Sequence, residues 1–344
     1  MSKHILITGG AGFIGSNLVR HHAVQGNHVT VLDDLSRTGS ERNLKWIQER
    51  RFENVRIVRG SICDAEAVMS LFQENHFDLV VHCASQVAVT LSVQNPVYDH
   101  KVNDIGTLNM LEGLRNGKNP KAFFILPSTN KVYGGLEGLA IVELETRYQL
   151  QNAPNGITER VNLDFHSPYG CSKGAADQYT RDYARIYDLN TVVFRQSCIY
   201  GPQQVGITDQ GWVAWFVRVA MAGKPITVYG DGKQTRDLLY IDDLIRAYDQ
   251  AELHAAKTRG QIYNIGGGPD SARSVLEVLN VIKKSFPDLT WNYGEWRPGD
   301  QRVYVSDISK AKRDFGWSPQ VSSEDGISKL IEWCKQERAT LPPV

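Results

Sequence analysis

Short segments that are apolar on both faces recur along the first two thirds of the chain and alternate with longer amphipathic segments. Strands buried on both faces are typical of a parallel sheet with helices packed against each side. The predicted strands are His4–Thr8, His28–Asp33, Val55–Arg59, Leu79–Cys83, Ala122–Leu126 and Thr191–Arg195. The predicted helices lie near Gly15–Gln25, Asp64–Asn75, Pro96–Asn116 and Pro168–Tyr187. This alternation predicts an α/β fold built on a doubly wound parallel sheet.

The pattern changes after Gly201-Pro202, where a polar loop over Gln203–Gly211 has no clear period. An apolar helix is predicted next, at Trp212–Ala222. The later elements are predicted strands at Ile226–Tyr229 and Gln261–Ile265 and predicted helices at Ile241–His254 and Ser271–Ser285. We therefore expect a larger domain over residues 1–200 and a smaller α/β portion over residues 201–344, between which the chain can cross.

The charge balance excludes several classes of partner. Thirty-eight basic and 38 acidic residues give zero formal net charge, whereas general binding to nucleic acid or anionic membrane needs a net basic face. No apolar run is long enough to cross a membrane, and glycines interrupt the first apolar segment, so neither a transmembrane helix nor a signal peptide is predicted. The five scattered cysteines match no zinc-binding spacing and no disulfide framework. We expect a reduced, cytoplasmic protein without a metal site.

A glycine-rich loop, TGGAGFIG at Thr8–Gly15, follows the first predicted strand and opens the first predicted helix. Gly9 permits a tight turn, Gly12 lets the backbone approach a pyrophosphate, and Gly15 lets the helix pack closely. This spacing is a variant of the dinucleotide fingerprint, and a glycine-rich turn without a ligand is the alternative. The preceding strand and the following helix favour a dinucleotide site and hence a Rossmann-type domain.

An acidic residue, Asp33, ends the second predicted strand. Its carboxylate can accept hydrogen bonds from both hydroxyls of an adenosine ribose and would repel a 2′-phosphate, which favours NAD over NADP. The neighbouring Arg37 weakens this preference, and a turn or a helix cap is the structural alternative for Asp33.

Tyr169 and Lys173 are four residues apart, so they lie on one face of the helix that Ser167 caps and Pro168 opens. The ammonium group is expected to lower the pKa of the phenol from about 10. Such a tyrosine can take the proton of a sugar hydroxyl while hydride leaves the adjacent carbon. Thr129, at the end of an earlier strand, can bond to the same oxygen. Taken singly, Tyr169 and Lys173 could be an exposed polar pair, and Thr129 could only cap a turn. The glycine loop, the acid Asp33, the strand-end hydroxyl and the Tyr–Lys pair nevertheless occur together in the right order, which favours catalysis.

Together these motifs resemble the extended short-chain dehydrogenase/reductase family over nearly the whole chain. Further stretches are similar to its CDP-tyvelose (CDP-paratose) 2-epimerase subgroup: PSTNKVYG, LETRY, PNG, LDFHSPYGCSKGAADQY, LNTVVFR and DQGWV. These stretches lie outside the cofactor motif, so the likeness is specific. The resemblance implies interconversion of nucleotide sugars at C2 of the hexose with tightly held NAD. It also implies a homo-oligomer, a dimer or a tetramer, paired through the helices near Pro96–Asn116 and Pro168–Tyr187.

The resemblance assigns roles to individual residues of this chain. Thr129, Tyr169 and Lys173 match the catalytic set of the family. The residues expected at the cofactor are Gly9, Gly12, Phe13, Ile14, Gly15, Asp33, Asp34, Ser36, Arg37, Ser61, Ile62, Ala84, Ser85, Gln86, Asn103, Tyr169 and Lys173. The residues expected at the substrate are Thr129, Asn130, Cys198, Arg236, Arg297 and Arg302. The arginine forks suit diphosphate oxygens, so the smaller portion is expected to bind the nucleotide sugar.

Three positions depart from the family pattern. Gly60-Ser61-Ile62 stands where the family usually has Gly-Asp, whose acid contacts adenine. Pro127 stands where many relatives have serine, and Cys198 stands where many 4-epimerases and dehydratases have asparagine. Cys198 is expected to face the sugar, and a small core residue is the alternative.

The two residues after Thr129 separate the possible reactions. 4,6-Dehydration of a nucleotide sugar needs a carboxylic acid and a carboxylate beside the strand-end hydroxyl to eliminate water, whereas Asn130 and Lys131 are neither. We therefore predict C2 epimerisation of a CDP-hexose of the paratose/tyvelose or glucose/mannose type, through a transient 2-keto sugar. The same catalytic set would also serve a UDP-hexose 4-epimerase. A non-enzymatic NAD sensor of the same fold is disfavoured by the intact catalytic set.

Overall fold

The computed structural model describes residues 2–297 and 300–344, so Pro298 and Gly299, which stand between the predicted substrate-binding residues Arg297 and Arg302, lie outside the described residues. Its strands are β1 (His4–Thr8), β2 (His28–Asp33), β3 (Val55–Arg59), β4 (Leu79–His82), β5 (Phe123–Thr129), β6 (Ile141–Glu143), β7 (Tyr148–Leu150), β8 (Asn190–Gln196), β9 (Cys198–Tyr200), β10 (Ile226–Tyr229), β11 (Thr235–Tyr240), β12 (Gln261–Ile265), β13 (Ala272–Ser274), β14 (Trp291–Gly294) and β15 (Val303–Tyr304).

The helices are α1 (Phe13–Val24), α2 (Ser40–Glu49), α3 (Ala65–Glu74), α4 (Val89–Gln94), α5 (Pro96–His100), α6 (Gly106–Asn116), α7 (Ser167–Ile186), α8 (Trp212–Met221), α9 (Ile241–Leu253), α10 (Ala255–Thr258), α11 (Val275–Ser285), α12 (Ser309–Phe315) and α13 (Ser323–Gln336). Lys101–Ile105 form a π-helical turn between α5 and α6, and Asn130–Tyr133 and Pro269–Ser271 form 3-10 turns. Within the described ranges, no helix has both the length and the apolarity needed to span a membrane.

A seven-stranded sheet has the strand order β12-β8-β5-β4-β1-β2-β3. The pairs β1–β2, β1–β4, β2–β3 and β4–β5 are parallel, and Ile7 lies opposite both Val31 and Val81. These three side chains are fully buried, as strands covered on both faces require. The order reverses between β1 and β4, and ligands of doubly wound sheets bind outside the carboxyl ends of strands at such a switch point. The predicted doubly wound, Rossmann-type fold is confirmed.

Two predictions for the last third need correction in detail. Gln261–Ile265 is a strand, but it forms the edge of the seven-stranded sheet instead of belonging to the smaller C-terminal portion. The helix predicted from Ser271 begins at Val275, because Ser274 Oγ accepts a hydrogen bond from Glu277 N at 3.1 Å and Glu277 Oε2 accepts one from Ser274 N at 2.9 Å. This capping box starts the helix, and the preceding residues pair with β11 as β13.

The chain divides into two compact units that are discontinuous in sequence. The first unit comprises residues 1–129, 167–195 and 248–263, and the second comprises residues 130–166, 196–247 and 264–344. Leu6, Val80 and Phe124 belong to the buried core of the first unit. Tyr133 and Tyr304, whose rings stack with centroids 6.1 Å apart, belong to a core cluster of the second. A functional domain boundary near residue 200 stays a prediction.

Candidate active site

The glycine loop of the first unit joins β1 to α1 by a turn that tolerates little substitution. Gly9 has a φ of 64°, and a Cβ atom there would lie 2.6 Å from Ala84 N. A Cβ atom on Gly15 would lie 2.1 Å from Gly9 O. A Cβ atom on Gly12 would meet only Gly9 O within 4 Å, at 3.0 Å. The backbone is therefore crowded at Gly9 and Gly15 and open beside Gly12, as approach of a pyrophosphate requires.

The first turn of α1 begins directly after this loop, at Phe13 and Ile14. Gly12 is the N-cap residue, and no side chain of the described residues caps the helix there. Gly12 O accepts the first helical hydrogen bond, from Ser16 N at 2.9 Å. The initial N–H groups of such a helix attract an anion through their dipoles, so this end of α1 fits a dinucleotide pyrophosphate.

Asp33, at the end of β2, is held against the same loop. Its Oδ2 accepts a hydrogen bond from Ala11 N at 2.9 Å, and its Oδ1 accepts one from Leu35 N at 2.8 Å. Burial raises the pKa of this carboxyl group, and the two hydrogen bonds oppose the rise. Asp34 Oδ1 accepts hydrogen bonds from Ser36 N at 3.0 Å and Ser36 Oγ at 2.6 Å. Carboxylate oxygens accept more than one hydrogen bond, so Asp33 can also bind the ribose hydroxyls of NAD.

Asn103, in the π-helical turn, fixes the segment that follows β4. Its Oδ1 accepts hydrogen bonds from Ser85 Oγ and Gln86 N, both at 2.8 Å. Its Nδ2 donates to Gln86 O at 3.0 Å and to Ser172 Oγ, on α7, at 3.1 Å. Asp99, which the sequence did not indicate, accepts hydrogen bonds from Gln86 Nε2 at 2.6 Å and Ser172 Oγ at 2.5 Å. This buried network connects the predicted cofactor segment to the helix that carries Tyr169 and Lys173, and π-helical turns are frequent at functional sites.

The segment after β3 contributes mainly to packing. The side chain of Ile62 lies in the core of the first unit, where it packs against Gly106. Ile62 O accepts a hydrogen bond from Asn109 Nδ2 at 2.9 Å, and Ser61 Oγ accepts one from Cys63 N at 3.3 Å. Roles for Ser61 and Ile62 at the adenine stay predictions.

Thr129, Tyr169 and Lys173 are brought together in the first unit. Thr129 ends β5, and its hydroxyl is hydrogen-bonded to the phenol of Tyr169 on α7. One turn further along α7, Lys173 donates a hydrogen bond from Nζ to Pro127 O at 2.8 Å. All three side chains are buried. Thr129 and Tyr169 can therefore share one substrate oxygen, with an ammonium group one helical turn away.

The predicted lowering of the Tyr169 pKa is wrong for the protein alone. Burial raises the pKa of Tyr169 to about 12; the hydrogen bond with Thr129 and the charge of Arg37 lower it, and Asp99 raises it further. Burial likewise lowers the pKa of Lys173 to about 8. Desolvation is the largest influence on both groups, and the nearby positive charge that lowers the pKa of Tyr169 is that of Arg37. A cationic ring bound beside the phenol would also favour the phenolate. The sequence did not indicate the approach of Arg37 to Tyr169.

Three ionisable residues lie close together in the second unit. Arg236, on β11, donates a hydrogen bond from Nη2 to Asp300 Oδ1 at 2.9 Å. Burial and the charge of Arg236 lower the pKa of Lys131 to about 8, and Asp300 opposes this shift. Two cationic side chains share one carboxylate here, which suits an added diphosphate.

Asn130 and Cys198 also lie in the second unit. Asn130 Nδ2 donates a hydrogen bond to Gln301 Oε1 at 3.0 Å, and Gln301 Nε2 donates one to Gly134 O. Gln301 is buried, and the sequence did not indicate its contact with Asn130. Burial raises the pKa of Cys198 to about 12, so this residue is a neutral thiol rather than a nucleophile.

Arg297 and Arg302 lie over aromatic rings of the second unit. The guanidinium carbon of Arg297 is 4.0 Å from the ring centroid of Tyr229, and Arg297 Nη2 donates a hydrogen bond to Thr208 O at 2.9 Å. The guanidinium carbon of Arg302 is 5.4 Å from the ring centroid of Tyr148 and 5.7 Å from that of Trp296. An open pocket of about 420 Å³ is lined by Gly230, Asp231, Tyr293, Gly294, Glu295 and Trp296. Its aromatic walls are a second feature that the sequence did not indicate.

Known proteins resemble this chain over nearly its full length. Residues 6–330 match the family described as GDP-mannose 4,6 dehydratase. The chain is 45% identical over 335 residues to the CDP-paratose 2-epimerase of Salmonella typhi, covering 96% of this chain and 98% of that protein. It is 33% identical over 349 residues to a dTDP-glucose 4,6-dehydratase of Escherichia coli, covering 96% and 92%. The structure of the UDP-glucose 4-epimerase of Thermus thermophilus in complex with NAD matches with a TM-score of 0.80 and 30% identity, covering 96% of this chain and 99% of that one.

A Rossmann-type sheet with a glycine loop and a Thr–Tyr–Lys set defines a dehydrogenase/reductase type of site. The chain belongs to the GDP-mannose 4,6 dehydratase family, within the extended short-chain dehydrogenases/reductases. The family predicted from the sequence is confirmed.

Proposed function

We propose that this protein is an NAD-dependent isomerase that epimerises a CDP-hexose at C2, of the paratose/tyvelose or glucose/mannose type. The likeness to a CDP-paratose 2-epimerase over 96% of the chain supports the substrate class. The observation that carries the proposal is the hydrogen-bonded pair of Thr129 and Tyr169, with Lys173 one turn away.

NAD, held at the glycine loop and Asp33, would supply an acceptor that takes the hydride of C2 and returns it to the opposite face of the sugar. Tyr169 takes the proton of the C2 hydroxyl, and Thr129 holds the same oxygen by its hydroxyl. Lys173 stabilises the phenolate by its charge. Tyr169 returns the proton as the hydroxyl is restored, so the sugar is inverted at C2 without net oxidation.

Residues of the second unit would bind the rest of the substrate. Arg236 and Lys131 present positive charge to the diphosphate, and the fork of Arg302 supplies further donors. Trp296 and Tyr293 line the open pocket, and flat aromatic faces of this kind stack with a nucleotide base. Asn130, Cys198 and Arg297 complete the proposed substrate set.

Epimerisation at C4 of a UDP-hexose is the second candidate. It is favoured by the likeness to a UDP-glucose 4-epimerase solved with NAD, and the same three catalytic side chains would perform it. Dehydration is disfavoured, because the positions after Thr129 hold an amide and an amine, Asn130 and Lys131, in place of an acid and a carboxylate.

The proposal includes a homo-oligomer paired through the helical segment of α5 and α6 and through α7, which pack together in the first unit. Val97 on α5 and Ile186 on α7 are 75% and 66% exposed, and Tyr179 on α7 is also exposed. Tyr183 on the same helix is buried in the core. Exposed apolar side chains on neighbouring helices favour a contact with a second copy.

A panel of CDP- and UDP-hexoses tests the function. Each is incubated with the protein, and NMR shows the configuration of the product at C2 and C4. We expect inversion at C2 of a CDP-hexose and no product from the Tyr169→Phe variant. Inversion at C4 would establish the second candidate, and a 4-keto-6-deoxy product would establish dehydration.

A further inference from the structure

A histidine pair at the last turn of α1 faces an aspartate within the first unit. His21 Nε2 lies 2.8 Å from Asp249 Oδ2, and the rings of His21 and His22 have centroids 4.9 Å apart. One ligand atom from each of the three side chains lies within 4.8 Å of the other two. The histidines follow the start of α1 by eight residues, about 12 Å along the helix axis, so this cluster is separate from the dinucleotide site.

His22 has an unusual environment for a buried histidine. It is 3% exposed, and neither of its ring nitrogens has a hydrogen-bond partner among residues 2–297 and 300–344. Buried polar atoms are nearly always paired, so an unpaired one points to a ligand. Burial and the neighbouring His21 lower the pKa of His22 to about 4, so its imidazole is neutral at neutral pH. Neutral imidazole is the form that coordinates metal ions.

We propose that His21, His22 and Asp249 bind a divalent transition-metal ion of the zinc type, with water as the remaining ligand. Two imidazole nitrogens and one carboxylate oxygen are a donor set that Zn²⁺ and neighbouring ions accept, whereas Ca²⁺ and Mg²⁺ prefer oxygen alone. The site would join the last turn of α1 to α9, which are far apart in sequence. No metal site was predicted from the sequence because that prediction considered the spacing of cysteines, whereas the proposed site contains histidines and an aspartate.

The observed positions are close to those of a coordinated ion. Ligand atoms of a tetrahedral zinc site lie about 3.3 Å apart, so the His21–Asp249 separation would widen by about 0.5 Å. His22 would approach by side-chain rotation, and the metal ion would take the place of the direct contact between His21 Nε2 and Asp249 Oδ2, any proton on that nitrogen passing to solvent.

The electrostatic surroundings also suit a cation. The carbonyl end of α1 carries partial negative charge. Lys3, which repels a cation at His22, is paired with Glu252 at 2.8 Å.

The test uses the full chain without an affinity tag, stripped with a chelator and titrated with Zn²⁺ at neutral pH by calorimetry. We expect one ion per chain with micromolar or tighter affinity and a Tm that rises with Zn²⁺ concentration. His22→Gln and Asp249→Asn should each weaken binding at least about tenfold. His76→Gln, at an exposed surface histidine, is the matched control and should bind as the wild type does. Co²⁺ in place of Zn²⁺ should give the visible spectrum of a tetrahedral site.

Absence of stoichiometric uptake by the wild type would overturn the proposal. Equal affinity of the wild type and Asp249→Asn would overturn it too, because the ion would then bind elsewhere. Asp249 is partly exposed, so this variant decides the question even if His22→Gln does not fold.

Discussion

Breaking the buried ion pair between Asp177 and Arg195 should strongly destabilise the protein. The side chains are 0% and 3% exposed, and Arg195 Nε and Nη2 donate to the two carboxylate oxygens, both at 2.9 Å. Ser128 Oγ donates a third hydrogen bond to Asp177, at 2.9 Å, beside the catalytic end of β5. Removing one partner leaves an uncompensated buried charge, so Arg195→Met should lower the free energy of unfolding by roughly 3–5 kcal/mol. The double variant Asp177→Leu/Arg195→Met should lose much less, because neither charge of the pair then remains without its partner.

Urea unfolding followed by far-UV circular dichroism measures this effect. Of the seven tryptophans, only Trp46 lies in the first unit, so fluorescence would report mainly on the second. As a control, Lys121→Met removes an exposed ion pair with Asp188 and should leave the urea midpoint nearly unchanged. A cost of Arg195→Met below about 1 kcal/mol would refute the reasoning, since that is the range of surface pairs. The reasoning would also be refuted if the double variant lost as much free energy of unfolding as the two single variants together.

Three further predictions concern the site and its surroundings. Tyr169→Phe should lower kcat by about 10²–10⁴-fold because the proton acceptor is lost, with NAD affinity unchanged by calorimetry; an equal loss of NAD binding would contradict the assigned role. Gly12→Ala should fold but bind NAD poorly, whereas Gly15→Ala, whose Cβ would meet Gly9 O at 2.1 Å, should also lower the Tm; equal Tm values would contradict the loop geometry. Burial lowers the pKa of His82 to about 3. Below pH about 6.5 the unfolded chain therefore binds a proton that the folded chain does not, and stability falls by on the order of 2 kcal/mol at about pH 5. His82→Gln should remove that part of the pH dependence in urea titrations with chelator present, and an unchanged slope would contradict the assignment.

The central sheet was predictable because its strands are apolar on both faces. β1 and β2 have the predicted bounds, since a parallel strand covered by helices shows itself in local sequence. β3 also has its predicted bounds, although it is an edge strand with none of its residues fully buried. The small sheets were not predictable in the same way. β11 pairs with β9, β13 and β15, which are two or three residues long or come from distant segments, so their pairing depends on tertiary contacts.

α2 was also missed, for a different reason. Its buried residues are Ser40, Asn43, Trp46 and Ile47, so half of its inner face is polar. The segment is amphipathic, but only Leu44, Trp46 and Ile47 of its ten residues are apolar, too few to mark a helix that packs on a core.

The candidate site was predictable where chemistry is encoded over short spacings, as in the glycine loop and the pair Tyr169 and Lys173. It was not predictable where a contact joins remote segments. Gln301 is 171 residues from Asn130, and the approach of Arg37 to Tyr169 has no sequence signal. The direction of the pKa shift of Tyr169 was predicted wrongly, because the spacing of residues shows that a charge is nearby but does not show that the phenol is buried.

The fate of a deuterium atom at C2 of the substrate tests the proposed reaction most directly. A CDP-hexose labelled at C2 is converted in ordinary water, and NMR measures both the configuration and the label of the product. If Tyr169 moves only the hydroxyl proton while the hydride goes to bound NAD and back, the C2 epimer keeps its deuterium. Deuterium replaced by solvent hydrogen, or inversion at C4 with C2 unchanged, would contradict this mechanism.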